Sequence, residues 1–261
     1  MNLDLTGKRA LVCGSTQGIG KAAAIELALL GADITLLARN EDKLLDAIQE
    51  LPDHGKLGHN YLVADFSDPE NVKTVIHNYI IENRVDILVN NTGGPPAGPA
   101  SEADPNEYLA AFNLHVICNQ ILVQAVTPGM KERGFGRIIN VISTSVKTPL
   151  KGLGVSNTIR GAVASWAKTI ATELGPFGIT VNNVLPGYTL TGRFESLRSS
   201  KSAKEKKSEE EVEKEMIYDI PAGRIADASE IGAAIAFLAS PAASYINGIN
   251  LPVDGGKTPT L

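Results

Sequence analysis

Residues 8–31 constrain this chain more than any other stretch. KRALVC (8–13) is a short apolar run with the branched residues of a buried strand. GSTQGIG (14–20) follows, and then KAAAIELALLG, whose Ala, Leu and Ile content and closing Gly31 predict a helix with its stop signal. Glycine at 14, 18 and 20 lets a backbone turn sharply and approach a ligand with no Cβ in the way. A strand, a glycine turn and a helix N-terminus together aim amide N–H groups and a positive dipole end at one spot, which suits a pyrophosphate. On this reading Gly14, Ser15, Thr16, Gln17, Gly18, Ile19 and Gly20 bind a dinucleotide. The spacing is G-x-x-x-G-x-G rather than G-x-G-x-x-G, and the competing reading is a tight turn that binds nothing. The order strand, glycines, helix favours the dinucleotide.

The same alternation continues. ADITLLA (32–38) predicts a second strand and EDKLLDAIQEL an amphipathic helix. The residue closing the second strand of a dinucleotide fold selects the cofactor. A carboxylate accepts from the ribose 2′-hydroxyl, whereas a neutral residue beside an arginine accommodates a 2′-phosphate. Here the pair is Ala38–Arg39, which favours NADP over NAD, although Arg39 as a solvated or capping residue fits the same position. KLGHNYLVADFSD (56–68) predicts a third strand ending in Asp65–Phe66, where Asp65 accepts from an adenine amino group or caps a turn. VDILVNNTGG (85–94) predicts a fourth, buried on both faces as parallel strands are, ending in Asn90, Asn91, Thr92 and Gly93. This cadence means right-handed βαβ units and a parallel sheet with helices on both sides.

A chain of 261 residues, 43% apolar and 20% charged, fits one large α/β domain. A net charge of −5 with no compensating basic block argues against a nucleic-acid surface. Cys13 and Cys118 lie inside apolar segments and form no disulfide framework, which fits a reduced, cytoplasmic setting. MNLDLTGKRALV lacks the basic-then-apolar order of a signal peptide, and no unbroken apolar run of membrane length is expected. His54, His59, His77 and His115 have no metal-ligand spacing, so no metal and no role is expected for them.

GSTQGIG after the first strand, ADFSD after the third and NNTG after the fourth resemble the short-chain dehydrogenase/reductases, in particular those similar to 3-oxoacyl-carrier-protein reductases. TPGM (127–130), GRIINVIST (136–144), ELGPFGITVNNVLPGYTLT (173–191), IPAGRIADASEIGAAIAFLAS (220–240) and INGINLPVDGG (246–256) extend the resemblance to the end of the chain. It implies a single-domain, doubly wound parallel sheet of seven strands (a Rossmann fold) over 1–261. It also implies a hydride transfer between NADP(H), with NAD the alternative, and a small carbonyl or alcohol. Asp65, Phe66, Asn91, Gly93, Pro186, Gly187 and Thr189 join the cofactor site by the same correspondence.

The family's active site uses an Asn, a Ser, and a Tyr and Lys one helical turn apart. Asn113 in AFNLHV and Ser143 in NVIST match the first two. The tyrosine position falls on Ser156 and the lysine position on Arg160, with SNTIRGAVASWAKTIATELGPFGITVN fixing the register. None of the six tyrosines (61, 79, 108, 188, 218 and 245) has Lys or Arg four residues later. Carbonyl reduction leaves an alkoxide that must gain a proton, which the family draws from a tyrosine acidified by an ammonium. Serine is a far weaker acid. Arg160 is permanently charged, so it supplies a field and a planar fork of donors to ribose hydroxyls, or to a substrate carboxylate or phosphate, but joins no proton relay. Ser156 and Arg160, at i and i+4, share one helix face. Tyr188, just past Pro186–Gly187, is either a substitute acid working with Ser143 or an aromatic plug that closes the pocket.

Two more departures stand near the glycines. Cys13 occupies a position where the family's Thr hydroxyl braces the Asn-Asn loop, and Thr92 replaces a small Ala. GGPPAGPA (93–100), stiffened by three prolines, lies where the family's substrate enters, with a plain connection the equal alternative. Residues 192–220 correspond to the family's mobile lid. EEEVEKEM reads as a solvated helix, and Arg193, Arg198, Lys201, Lys204, Lys206 and Lys207 either attract an anionic carrier or CoA-linked substrate or belong to an exposed, flexible segment. The alanine-rich helix from 161 corresponds to the family's dimer and tetramer contact, so a homotetramer or homodimer is expected. Two other functions stay open: a nucleotide-binding sensor or assembly protein that has lost the chemistry, and a lyase-type reaction needing no tyrosine.

Overall fold

A computed structural model describes residues 1–52 and 58–260. Its strands are β1 (Arg9–Cys13), β2 (Asp33–Ala38), β3 (Asn60–Val63), β4 (Ile87–Asn90), β5 (Gly136–Val141), β6 (Ile179–Pro186) and β7 (Asn250–Val253). They form one parallel sheet in the order β3-β2-β1-β4-β5-β6-β7. The order reverses between β1 and β4, which opens a crevice at the carboxyl ends of those strands. The helices are α1 (Gly18–Leu29), α2 (Glu41–Gln49), α3 (Pro69–Glu82), α4 (Pro105–Phe112), α5 (Cys118–Arg133), α6 (Gly154–Leu174), α7 (Gly192–Glu205), α8 (Glu209–Tyr218) and α9 (Ala228–Ala239).

Alternation along each strand sends side chains to two separate cores. Ala10 and Val12 of β1 join Ile34, Leu36 and Val184 under α1 and α9. Leu11 and Cys13 join Leu88, Ile138 and Val181 under α3, α5 and α6. Both faces are covered, so the strands read as almost continuous apolar runs.

One polar row crosses this apolar sheet. Asn90 Nδ2 donates to Asn140 Oδ1 at 2.8 Å, Asn140 Nδ2 to Asn183 Oδ1 at 2.9 Å, and Asn183 Nδ2 to Asn250 Oδ1 at 2.8 Å. The four residues are directly opposed in register on β4 to β7. A one-residue slip of any strand would break the row and bury unpaired amides, so the row fixes the register, although Asn90 Oδ1 at its end stays buried without a partner.

Several predicted elements are shorter than expected because side chains divert the backbone. The third strand stops at Val63 instead of ending in Asp65–Phe66. Asp65 Oδ1 accepts from Ser67 N–H, and Asn71 Oδ1 accepts from Asp65 N–H, so Asp65 and Phe66 lie in a turn. Its expected start at Lys56 and Leu57, like His54, lies outside the described residues. β5 stops at Val141 because Ser143 caps the short turn Thr144–Val146. β7 is confined to Asn250–Val253 between Gly248 and Gly255, both at positive φ.

Pro105–Arg133 runs as one helix long and apolar enough, by length and composition, to cross a bilayer, contrary to the sequence expectation. Its polar interruptions at Asn113, His115 and Asn119 hid it, and Leu122, Val126 and Met130 commit its inner face to the core. Residues 192–220 are a packed helical hairpin rather than an open segment. Phe194 of α7 and Val212 and Met216 of α8 are buried together. The acidic face of α8 takes up most of the hairpin's cations. Arg198 pairs with Glu209 and Glu213, Lys201 with Glu215, and Lys207 with Glu205 and Glu215.

Candidate active site

Two features make the glycine turn a cradle. Gly14 and Gly18 take φ of +58° and +56°. A Cβ on Gly14 would lie 2.6 Å from the Asn91 carbonyl oxygen, and one on Gly20 would run into the Gly14 carbonyl. Asn91, just past β4, donates from Nδ2 to the carbonyl oxygens of Cys13 (3.3 Å) and Gly14 (3.2 Å). The brace therefore uses backbone acceptors, which is why a Cys side chain serves at 13. That thiol is fully buried and burial raises its pKa, so it stays protonated. Ser15 Oγ accepts from Leu37 N–H at 3.1 Å, tying the turn to β2.

Gln17 is extended and leaves α1 without a side-chain cap, and no acid stands in the first turn. Thr16 and Ile19 are partly exposed beside it. The N-terminal donors of α1 and their dipole face outward, which fits the pyrophosphate of a dinucleotide. Arg39 is exposed just past β2, and it forms no ion pair with any described residue. The Asp65 carboxyl lies below its usual range, held there first by Ser67 N–H and in part by the charge of Arg39. Phe66 is buried beside it and its carbonyl accepts from Cys118 Sγ. From the other side, Gly187 N–H donates to Val253 O, Thr189 Oγ1 donates to Gly187 O, and the Thr191 side chain packs against Gly18. Pro186, Gly187 and Thr189 thus carry the loop after β6 over the start of α1. Gly93 is exposed beyond Asn91.

The second half of the site stands at the ends of β4 and β5. Ser143 Oγ accepts from Ser145 N–H at 3.1 Å, which leaves its own proton free to donate. Ser156 and Arg160 lie on the buried face of α6. Arg160 is 7% exposed and donates from Nη1 to Val141 O at 3.0 Å, two residues before Ser143. Its Nε is buried with no hydrogen-bond partner. Burial, and then the charge of Arg193, lower its pKa to about 10, so it remains a cation at neutral pH. Asn113 is exposed at the start of a π turn, Asn113–Ile117, where Cys118 N–H reaches back to its carbonyl.

Two participants escaped the sequence reading. The π turn sends His115 inward, where Nδ1 meets Thr92 Oγ1 at 2.7 Å. Burial and the neighbouring Arg160 push its pKa down to about 2, so the ring is neutral. Thr92 is thus the partner His115 needs, and a small Ala there would leave the imidazole unpaired. The available signal was the departure at Thr92. Arg193 on α7, read in the sequence only as one of a run of cations, is the other: its Nη2 donates to Pro95 O at 2.9 Å, tying the hairpin to the proline loop.

Tyr188 is partly buried against the α7–α8 hairpin. Its ring stacks edge-on against Phe194 at 6.1 Å and under Lys257 Nζ at 5.1 Å. Burial and Asp219 raise its pKa, the wrong direction for an acid working near neutrality.

Comparison with known proteins agrees with this geometry. Residues 14–258 match the family described as enoyl-(acyl carrier protein) reductase. The 3-oxoacyl-(acyl-carrier-protein) reductase FabG of Haemophilus influenzae is 35% identical over 256 residues, 97% of this chain and 98% of that protein. The NADPH-dependent reductase BacG of Bacillus subtilis is 29% identical over 98% of this chain and 100% of its own length. Among solved structures, L-sorbose reductase from Gluconobacter frateurii, complexed with NADPH and L-sorbose, superposes with a TM-score of 0.93 at 31% identity, covering 100% of both chains.

Proposed function

The chain belongs to the short-chain dehydrogenase/reductase family, and from that premise we propose that it is an NADP(H)-dependent oxidoreductase acting on the carbonyl or alcohol of a small molecule. The observation that carries this reading is the uncapped α1 N-terminus behind the Gly14–Gly20 cradle, with Arg39 exposed at the end of β2. Gly14, Ser15, Gly18 and Gly20 would hold the pyrophosphate, Arg39 the 2′-phosphate, and Asp65 and Phe66 the adenine. NADPH dependence in the relatives supports the same cofactor here.

Bound NADPH would supply the hydride for the carbonyl carbon. Ser143 donates its free hydroxyl proton toward the carbonyl oxygen. Arg160, held at Val141, places a positive charge where that oxygen becomes negative, and a buried charge acts more strongly there than in water. The same field stabilises the alkoxide and makes the Ser143 hydroxyl more acidic, so a serine that regains its proton from water takes the tyrosine's place. Ser156 and Ser143 are the hydroxyls that pass the proton, Asn113 with its π turn sets His115 and Arg160, and Tyr188 closes the pocket. The α7–α8 hairpin acts as the lid, and the small-residue helix α6 supports a homotetramer or homodimer.

Fluorescence titration with NADPH and NADH tests the reading. Micromolar NADPH binding with weaker NADH binding is expected. Absence of both would leave the cradle as architecture alone.

A further inference from the structure

Two arginines converge on one point of the β4 loop, and among the described residues no carboxylate pairs with either. A Cβ built on Gly94 would lie 3.7 Å from Arg193 Nε and Nη2 and 3.8 Å from Arg160 Nη2. Arg160 sits on α6 and Arg193 on α7, so residues from opposite sides of the crevice meet above Gly94. The protein groups they engage are backbone carbonyls, Val141 O for Arg160 and Pro95 O for Arg193. Arg193 raises the cost of the charge on Arg160, and no acid among the described residues is paired with either. Arg160 Nε is buried and unpartnered.

That arrangement is costly without a ligand. Arg160 is a buried cation, which is normally paired, and the exposed Arg193 sets a second positive charge close enough to act on it. Three of the hairpin's other cations set a contrast, because Arg198, Lys201 and Lys207 are neutralised by Glu205, Glu209, Glu213 and Glu215. Arg193, one turn earlier on the same helix, turns away from those acids and toward Pro95.

We propose that Arg160 and Arg193 form an oxyanion-binding site over Gly94 that recognises a carboxylate on the substrate. A carboxylate is the favoured oxyanion because it is planar and accepts in parallel from a guanidinium fork. Gly94 has no side chain, so the space between the two guanidinium groups stays open. The inference rests on the oxidoreductase reading for what is reduced, and it narrows the substrate to a carbonyl or alcohol acid. Arg193, on the hairpin, is the specificity residue. Arg160 serves both the anion and the developing alkoxide.

Calorimetric titration of the full chain with oxalate, and in parallel with inorganic phosphate, tests the site independently of turnover. Oxalate binds the parent, and Arg193→Ala weakens it by about tenfold or more, with Arg193→Lys in between. NADPH affinity in Arg193→Ala stays within about twofold of the parent, since the altered fork serves the substrate and not the phosphate cradle. NADPH binding without oxalate binding overturns the anion site and leaves the cofactor reading intact, as does oxalate binding indifferent to Arg193→Ala. Arg193-dependent oxalate binding in a chain that does not bind NADPH upholds the anion site and overturns the cofactor reading. Phosphate binding more tightly than oxalate overturns the carboxylate assignment.

Discussion

Arg160 donates to the carbonyl oxygen of Val141 at 3.0 Å, which fixes the charge of α6 at the end of β5, two residues before Ser143. Two elements far apart in sequence thereby hold a cation and a free hydroxyl proton at one edge of the sheet. The position is usually a lysine in this family. Here the cation cannot release a proton, so it contributes field and geometry alone. Arg160→Lys keeps the charge but loses the planar donor set; carbonyl turnover is expected to fall about tenfold or more in kcat with NADPH binding retained. Steady-state kinetics beside a cofactor titration checks this.

The asparagine row across β4 to β7 makes Asn140 the most sensitive polar residue of the sheet. Asn140→Leu leaves Asn90 Nδ2 and Asn183 Oδ1 buried without partners. A loss of about 2–4 kcal/mol is expected, from two unsatisfied groups at 1–2 kcal/mol each. Urea unfolding measures it as a lower midpoint at unchanged slope.

Little of this row, or of the Thr92–His115 and Arg193–Pro95 contacts, was legible in the sequence, because each joins residues that only the fold brings together. The alternation of strands and helices, the glycine cradle and the i, i+4 pairing of Ser156 with Arg160 were legible, because each is local. Strand ends were read too long where polar side chains cap the backbone, as Ser143 and Asp65 do. The charge run at 192–220 misled for a related reason. Composition shows the cations, but only the pairing of α7 with α8 shows that most are spent on glutamates and that Arg193 is not.

His115 makes stability depend on pH. Its folded pKa of about 2 lies below the unfolded value, so the unfolded chain binds the extra proton as pH falls below about 6.5. This contribution is fully present above that pH and is lost steadily toward pH 2, the loss reaching about 2 kcal/mol by pH 5. His115→Gln is expected to flatten the loss between about pH 6.5 and 4, read as melting temperature against pH.

Arg39→Asp is expected to weaken NADPH binding by about ten- to a hundredfold and to leave NADH binding equal or tighter. Competition titration of the two cofactors reads both effects in one experiment.

The α7–α8 hairpin depends on Arg198, which bridges Glu209 and Glu213. Arg198→Ala is expected to leave the global unfolding midpoint unchanged, because the pairs are solvent-facing, while speeding proteolysis near Lys206. Limited trypsinolysis followed by mass spectrometry reports the cut.

The most direct test of the account is hydride transfer itself. Deuterium-labelled NADPH is incubated with the protein and a panel of small keto acids, and the product alcohols are weighed by mass spectrometry. The account predicts one deuterium on the former carbonyl carbon with the parent, and a loss of about a hundredfold in rate with Ser143→Ala. NADPH binding with no deuterium in any product, or transfer that is indifferent to Ser143→Ala, would contradict it.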